Sequence, residues 1–247
     1  MKYSQISRVS FFDTDLNGVL SPSSVVRKMQ EAGFAQFRDC GVSLDELRRK
    51  EGKAFFLNKL SVSLYHPLFE DDEIETKTWA CSVSRGANFL RAFRIYRGEE
   101  VRAEGMFSYA LLNLEKRRLC RVEDSPFPFG ADDMLDLDLP SRNLIPSDLP
   151  LVLRGERTVS YSDCDRNAHM DSAVYPNMLC DHLPDPKKER VLSMQIAFLN
   201  EAKIGETFKI YRGEGNGCFF FRTQKEDGKK GIEAMLITEE AGGRDLR

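Results

Sequence analysis

Histidine is scarce in this chain of 247 residues: His66, His169 and His182 are the only three, beside a single tryptophan. The six cysteines, Cys40, Cys81, Cys120, Cys164, Cys180 and Cys218, form no C-x-x-C pair, so they read as reduced thiols and not as a disulfide framework. No G-x-S-x-G occurs, which leaves a serine nucleophile on an α/β-hydrolase elbow unsupported. A P-loop and a glycine-rich dinucleotide fingerprint are also missing, and no cofactor is expected. The longest apolar runs are far too short to cross a bilayer, so no membrane association is expected. The net charge of −3 supplies no basic field for nucleic acid. "MKYSQISRVSFFD" holds no apolar signal core, and the expected location is the cytoplasm.

Against these absences stand two related turns. "DTDLNG", residues 13–18, has Asp13, Asp15, Asn17 and Gly18 spaced like the start of a calcium loop. "DCDRNAH", residues 163–169, repeats the pattern. Such a loop ends on a bidentate Glu, and that position holds Ser24 in one copy and Val174 in the other. The segments in front, "RVSFF" and "RTVSYS", read as strands and not as entering helices. No metal is expected.

The turns instead mark a repeat. At an offset of 150, Val9, Ser10, Asp13, Asp15 and Asn17 match Val159, Ser160, Asp163, Asp165 and Asn167. Each copy leads into a helix and then several strands. In the first, Ser21 caps and Pro22 starts a helix whose apolar face is Val25, Met29, Ala32, Gly33 and Phe37, with Gly41 as the stop. "SLDELRRK" follows, with Ser43 and Glu46 spaced as a capping box. Strands are expected at 54–65, 74–84, 88–97, 101–114 and 117–122. The second copy has a shorter helix, 172–183, and strands at 191–199, 206–212, 217–224 and 231–239. Residues 123–150 hold five of the ten prolines, seven acids and one base, and read as an extended linker. The expected units are therefore 1–122 and 151–247. One helix with an apolar stripe followed by an antiparallel run predicts an α+β fold, a curved sheet wrapped around the helix. This is the hot-dog arrangement, here twice in tandem.

"DCDRNAHMDSAVY", residues 163–175, resembles the catalytic segment of the acyl-acyl carrier protein thioesterases, roughly D-x-D-x-N-x-H-x-N-N-x-x-Y. Asp163, Asp165, Asn167, His169 and Tyr175 match, and the resemblance covers nearly the whole chain. It implies a further catalytic carboxylate in "MQIAFLNEAKIGE", residues 194–206, at Glu201. Two departures stand out. Ala202 takes the place of a cysteine, which speaks against a thiol nucleophile there, and Asp171 replaces an asparagine. In the first copy the histidine position is Val19 and the Glu201 position aligns with Pro67, so that copy keeps the turn and lacks the chemistry. The resemblance implies that the first unit contributes the acyl pocket, with Val25, Met29, Ala32 and Gly33 as lining candidates.

Thioester hydrolysis needs an activated water and donors for the carbonyl oxygen. His169 and Glu201 are the candidate pair that handles the proton. Asn167 is the candidate to position water or carbonyl, Asp165 to hold the loop, and the N-terminus of the following helix to bind the oxyanion. The implied reaction is release of fatty acid from acyl carrier protein, a step that ends chain elongation in fatty acid biosynthesis. The implied partners are the carrier and its fatty acyl thioester, with a homodimer left open. Alternatives are an acyl-CoA thioesterase, a non-catalytic acyl-binding module and a hot-dog dehydratase. Carrier docking would use Lys116, Arg117, Arg118 and Arg121, with Arg91, Arg94 and Arg97 on a nearby strand.

Overall fold

The computed structural model describes residues 2–81, 88–121, 133–141 and 143–240. The first unit runs β1 (Lys2–Arg8), α1 (Pro22–Asp39), α2 (Leu44–Glu51), β2 (Lys53–Leu64), β3 (Glu73–Ala80), β4 (Asn88–Arg97), β5 (Glu100–Asn113) and β6 (Arg118–Leu119). The second runs β7 (Val152–Thr158), α3 (Tyr175–Cys180), β8 (Glu189–Phe198), β9 (Thr207–Gly215), β10 (Cys218–Lys225) and β11 (Lys230–Glu240). All strands join one sheet in the order β1-β3-β4-β5-β2-β8-β11-β10-β9-β7, with β6 on β5. With β1 matched to β7, β3 to β9, β4 to β10, β5 to β11 and β2 to β8, the order reads the same from either end. The fold is two hot-dog units in tandem, joined antiparallel through β2 and β8.

Helix α1 starts where the Ser21 hydroxyl accepts the Ser24 N–H at 3.2 Å and Pro22 fills the first position. Its buried face (Val25, Val26, Met29) packs on Leu60, Val62, Ile74, Phe93, Ile95 and Phe107 from β2 to β5. Gly105 lets the helix come this close, because a Cβ there would lie 2.7 Å from Met29 Sδ. The same core continues through Tyr175, Met178, Ile196, Phe208 and Phe221 into the second unit. Each such large side chain contributes roughly 1.5–3 kcal/mol by burial.

The described linker residues 133–141 form no helix or strand, and they pack. Leu135 sits against Trp79, Ala92 and Met106, residues that alternate with the core-facing Phe93 and Phe107, so the linker covers the sheet face away from α1. Asp133 O accepts the Trp79 indole N–H at 2.8 Å, and Pro140 O accepts the Lys59 ammonium at 2.8 Å.

Some expectations need correction. "RVSFF" and "RTVSYS" are strands only in part: β1 and β7 end early, and Phe11–Asp13 and Tyr161–Asp163 form single 3-10 turns. The carboxylates of Asp13 and Asp163 each accept the N–H three residues back, from Ser10 and Ser160 at 2.9 Å, and this local bond overrides the β preference. The 172–183 helix shrinks to six residues because Asp171 captures the N–H groups of Ala173 and Val174 in a turn. The 117–122 strand is only Arg118–Leu119, after Arg117 at φ 49°. Residues 82–84 and 122 of two expected strands, and 123–132 of the linker, lie outside the described residues. No helix among the described residues is long and apolar enough to cross a membrane.

Candidate active site

After β7 the chain makes its 3-10 turn, and Asp163 anchors it. Its carboxylate takes the Ser160 N–H and lies 2.5 Å from the Arg157 guanidinium. Burial pushes this carboxyl up, but the Ser160 and Arg157 bonds outweigh that and hold it below its ordinary value. Asp163→Ala should therefore cost on the order of 1.5–3 kcal/mol, the usual scale for hydrogen bonds to a charged group. Urea unfolding measures this. Because the folded value is the lower one, the gap to the parent is full at neutral pH and narrows as pH falls below 3.8 through the folded value. A gap of unchanged size at low pH would mean that the ionised carboxylate is not the cause.

The loop that follows is built on Asp165. Its Oδ1 accepts the N–H of Asn167 at 2.8 Å and of His169 at 3.4 Å, and its own N–H donates to His169 O at 2.9 Å. Ala168 adopts φ 60° to close this Asx turn. His169 then bridges Lys203, and Met170 N–H donates to Ala202 O at 2.8 Å. That bridge carries the imidazole to Glu201, with Nε2 3.4 Å from Oε2. Asn167 Nδ2 donates to Asp165 Oδ2 at 2.7 Å, which fixes the amide and leaves its second N–H to point elsewhere.

Asp165, Asn167, His169 and Glu201 all line one cavity of about 1090 Å³. Its apolar walls come largely from the first unit: Gly33, Phe34 and Phe37 of α1, Leu44 and Leu47 of α2, Phe55–Leu57 of β2, and Phe89, Tyr109 and Leu112. Phe55 packs between Phe37, tilted, and Phe89, edge to face, with centroids 5.5 and 5.2 Å away. Gln30 Nε2 donates to Ser172 Oγ at 3.0 Å, tying α1 to the segment that follows the Asp165 turn. Of the four expected lining residues only Gly33 reaches this cavity. Met29 and Ala32 are sealed in the core, and Val25 lines a second, smaller cavity.

Sequence reasoning missed Phe34, Phe37, Phe55 and Tyr109, whose aromatic character reads equally well as plain core. It also placed Arg91 on a docking face. Arg91 is buried in the cavity wall, bonded to Gln36 and to Thr78 Oγ1, with its guanidinium 5.1 Å from the Phe37 ring centroid. Arg94 and Arg97 form ion pairs with Glu104 and Asp72. Lys116, Arg117, Arg118 and Arg121 are exposed as expected. The oxyanion role given to the following helix does not fit either: α3 is less than two turns long, and the N–H groups before it serve Asp171. Cys180 is half-buried, and desolvation pushes its thiol up to about 12, while Cys164 is raised too, so neither is an activated nucleophile.

A family model described as the acyl-ACP thioesterase N-terminal domain matches residues 1–127. A search of curated proteins finds no match. Among solved structures, an acyl-ACP thioesterase from Bacteroides thetaiotaomicron is similar at 18% identity over 96% of this chain and 98% of that one, with a TM-score of 0.83. An oleoyl thioesterase from Lactobacillus plantarum is 16% identical over 98% and 97%, at 0.80. The 12:0-ACP thioesterase from Umbellularia californica is 14% identical over 97% of each chain, at 0.76. At these identities the structures speak for the fold, and the family model for the family.

Proposed function

The chain belongs to the acyl-ACP thioesterase family, hydrolases of fatty acyl-acyl carrier protein, and from that premise we propose that His169 and Glu201 drive water onto the thioester at the end of the 1090 Å³ cavity. The observation that carries this reading is their 3.4 Å approach in the wall of a cavity whose apolar lining comes largely from the first unit. A water held beside both imidazole and carboxylate gives up its proton to the pair as its oxygen attacks the carbonyl carbon. The second Nδ2 proton of Asn167 supports the carbonyl oxygen as charge builds there, and Asp165 keeps that amide oriented. The C–S bond then breaks, and the carrier leaves as its thiol.

In this reading residues 1–122 select the chain, residues 123–150 link, and residues 151–247 cleave. The protein works in the cytoplasm with the carrier as partner. Acyl carrier proteins are acidic, and Lys116, Arg117 and Arg118 form an exposed basic turn whose strand β6 pairs Leu119 with Leu112, a cavity residue. Arg117→Glu with Arg118→Glu should raise KM for the carrier-bound substrate, most at low salt, because charge pairing mainly speeds encounter and is screened by ions. Hydrolysis of the matching CoA thioester should barely change. Equal losses on both substrates would assign the turn to the fold, and an unchanged KM at low salt would move docking elsewhere. The test of the function itself is release of free fatty acid from acyl-ACP by the unmodified chain and its loss in His169→Ala.

A further inference from the structure

We infer that the second cavity, of about 240 Å³, is a silenced counterpart of the active site that still accepts a short acyl thioester, with Val19 and Pro67 in place of the proton-handling pair. This rests on the reading of His169 and Glu201 given above.

The sheet supplies the symmetry. Across the β2–β8 junction Ser61 pairs with Gln195, while Lys59 pairs with Ala197 and Ser63 with Ser193. The bridges Val19–Phe69 and His169–Lys203 match one another, which sets Phe69 equivalent to Lys203 at a spacing of 134. The same spacing maps Ser61 onto its own partner Gln195 and exchanges the two flanking pairs. A twofold relation therefore passes through Ser61 and Gln195. It requires a second site made the other way round, from the turn of the first unit and the helix and central strand of the second. The 240 Å³ cavity is made so: Asp15, Val19 and Pro67 face Asn177, Cys180 and Val191.

The backbone of the turn there is intact. Asp15 Oδ1 accepts the N–H of Asn17 at 2.8 Å and of Val19 at 3.4 Å, the same distances as in the Asp165 turn, and Gly18 at φ 74° does the work of Ala168. Leu20 N–H donates to Leu68 O at 2.7 Å, as Met170 does to Ala202. Val19 and Pro67 both line the cavity at the places of His169 and Glu201. The space is small because α3 has six residues and the second unit has no counterpart of α2. The 240 Å³ compare with about 1090 Å³ in the first cavity. That suits a short acyl group beside its thioester and excludes a long chain.

The test installs Val19→His and Pro67→Glu in a His169→Ala background, with butyryl-CoA and a long-chain acyl-CoA as substrates. Water then forms the new C–O bond, the C–S bond breaks, and the water's proton passes through the installed pair to the departing sulfur. Butyryl-CoA hydrolysis should rise at least about tenfold over the His169→Ala parent, the lower part of the range for acid–base groups, with no gain on the long chain. A folded triple variant without that gain overturns the inference. If the triple variant does not fold, the parent is titrated with S-butyl-CoA, a thioether that resists hydrolysis, while ¹³C-methyl signals are followed. A shift at Val19 supports the site, and shifts confined to Met170 and the catalytic cavity overturn it. Full turnover in the His169→Ala parent would instead defeat the assignment of the catalytic pair, so the two failures are separable.

Discussion

His169→Ala lowers kcat by at least ~10²-fold, the scale for losing a positioned acid or base, while the variant stays folded. The imidazole is about one quarter exposed and its backbone is held by Asp165 and the Lys203 bridge, so truncating the ring leaves the loop in place. Glu201→Gln should fall by a similar order, since it keeps the shape and removes the charge facing Nε2 at 3.4 Å. The double variant should be little worse than either single one, because two groups that handle one proton are not additive. Cys180→Ser and Cys164→Ser should turn over normally per folded molecule. Near-parental kcat in His169→Ala would remove the residue from the chemistry, and a dead cysteine variant would revive a thiol mechanism.

Gly33→Leu shifts preference toward shorter acyl chains and cuts kcat/KM on the longest substrates by on the order of 10²-fold, at ~0.8 kcal/mol or about fourfold per displaced methylene. A Cβ at Gly33 would sit 3.5 Å from Arg91 Cδ and 3.6 Å from Phe93 Cε1, ordinary contacts, so the backbone tolerates a side chain. The remaining atoms must then extend into the cavity that Gly33 lines. Activity on short chains should survive, because the His169–Glu201 pair belongs to the other unit. Kinetics on acyl-ACP of graded length decide it. A uniform fall across all lengths would mean that this helix face is plain core.

The Asp165 turn was legible in the sequence because its contacts are local. Asp165, Asn167 and His169 lie within five residues and bond to one another, so residue type and spacing carry most of the geometry. Glu201 was different: only the family resemblance pointed to it, and the bridge from His169 to Lys203 that brings it close is a non-local pairing. The repeat showed itself at the turns and faded afterwards. Its offset slips from 150 to 134 because the long α1 and the extra α2 of the first unit face a six-residue α3 in the second. The apolar stripe of α1 gave the right helix and, Gly33 apart, the wrong lining. Periodicity marks Val25, Met29 and Ala32 as inward, but the cavity opens on the adjacent face at Gln30, Gly33, Phe34 and Phe37. A cavity wall and a packed core are apolar alike, and nothing in spacing separates them. Arg91 misled for the converse reason, since a charged residue on a strand reads as exposed and here lies buried over Phe37.

The most direct measurement is steady-state release of free fatty acid from a series of acyl carrier protein thioesters of graded chain length, using the unmodified chain. The expected result is multiple turnover with an optimum at one range of lengths, the catalytic pair of the second unit working on a chain measured by the first. Binding of the acyl carrier without release of fatty acid would contradict it, and so would turnover indifferent to chain length.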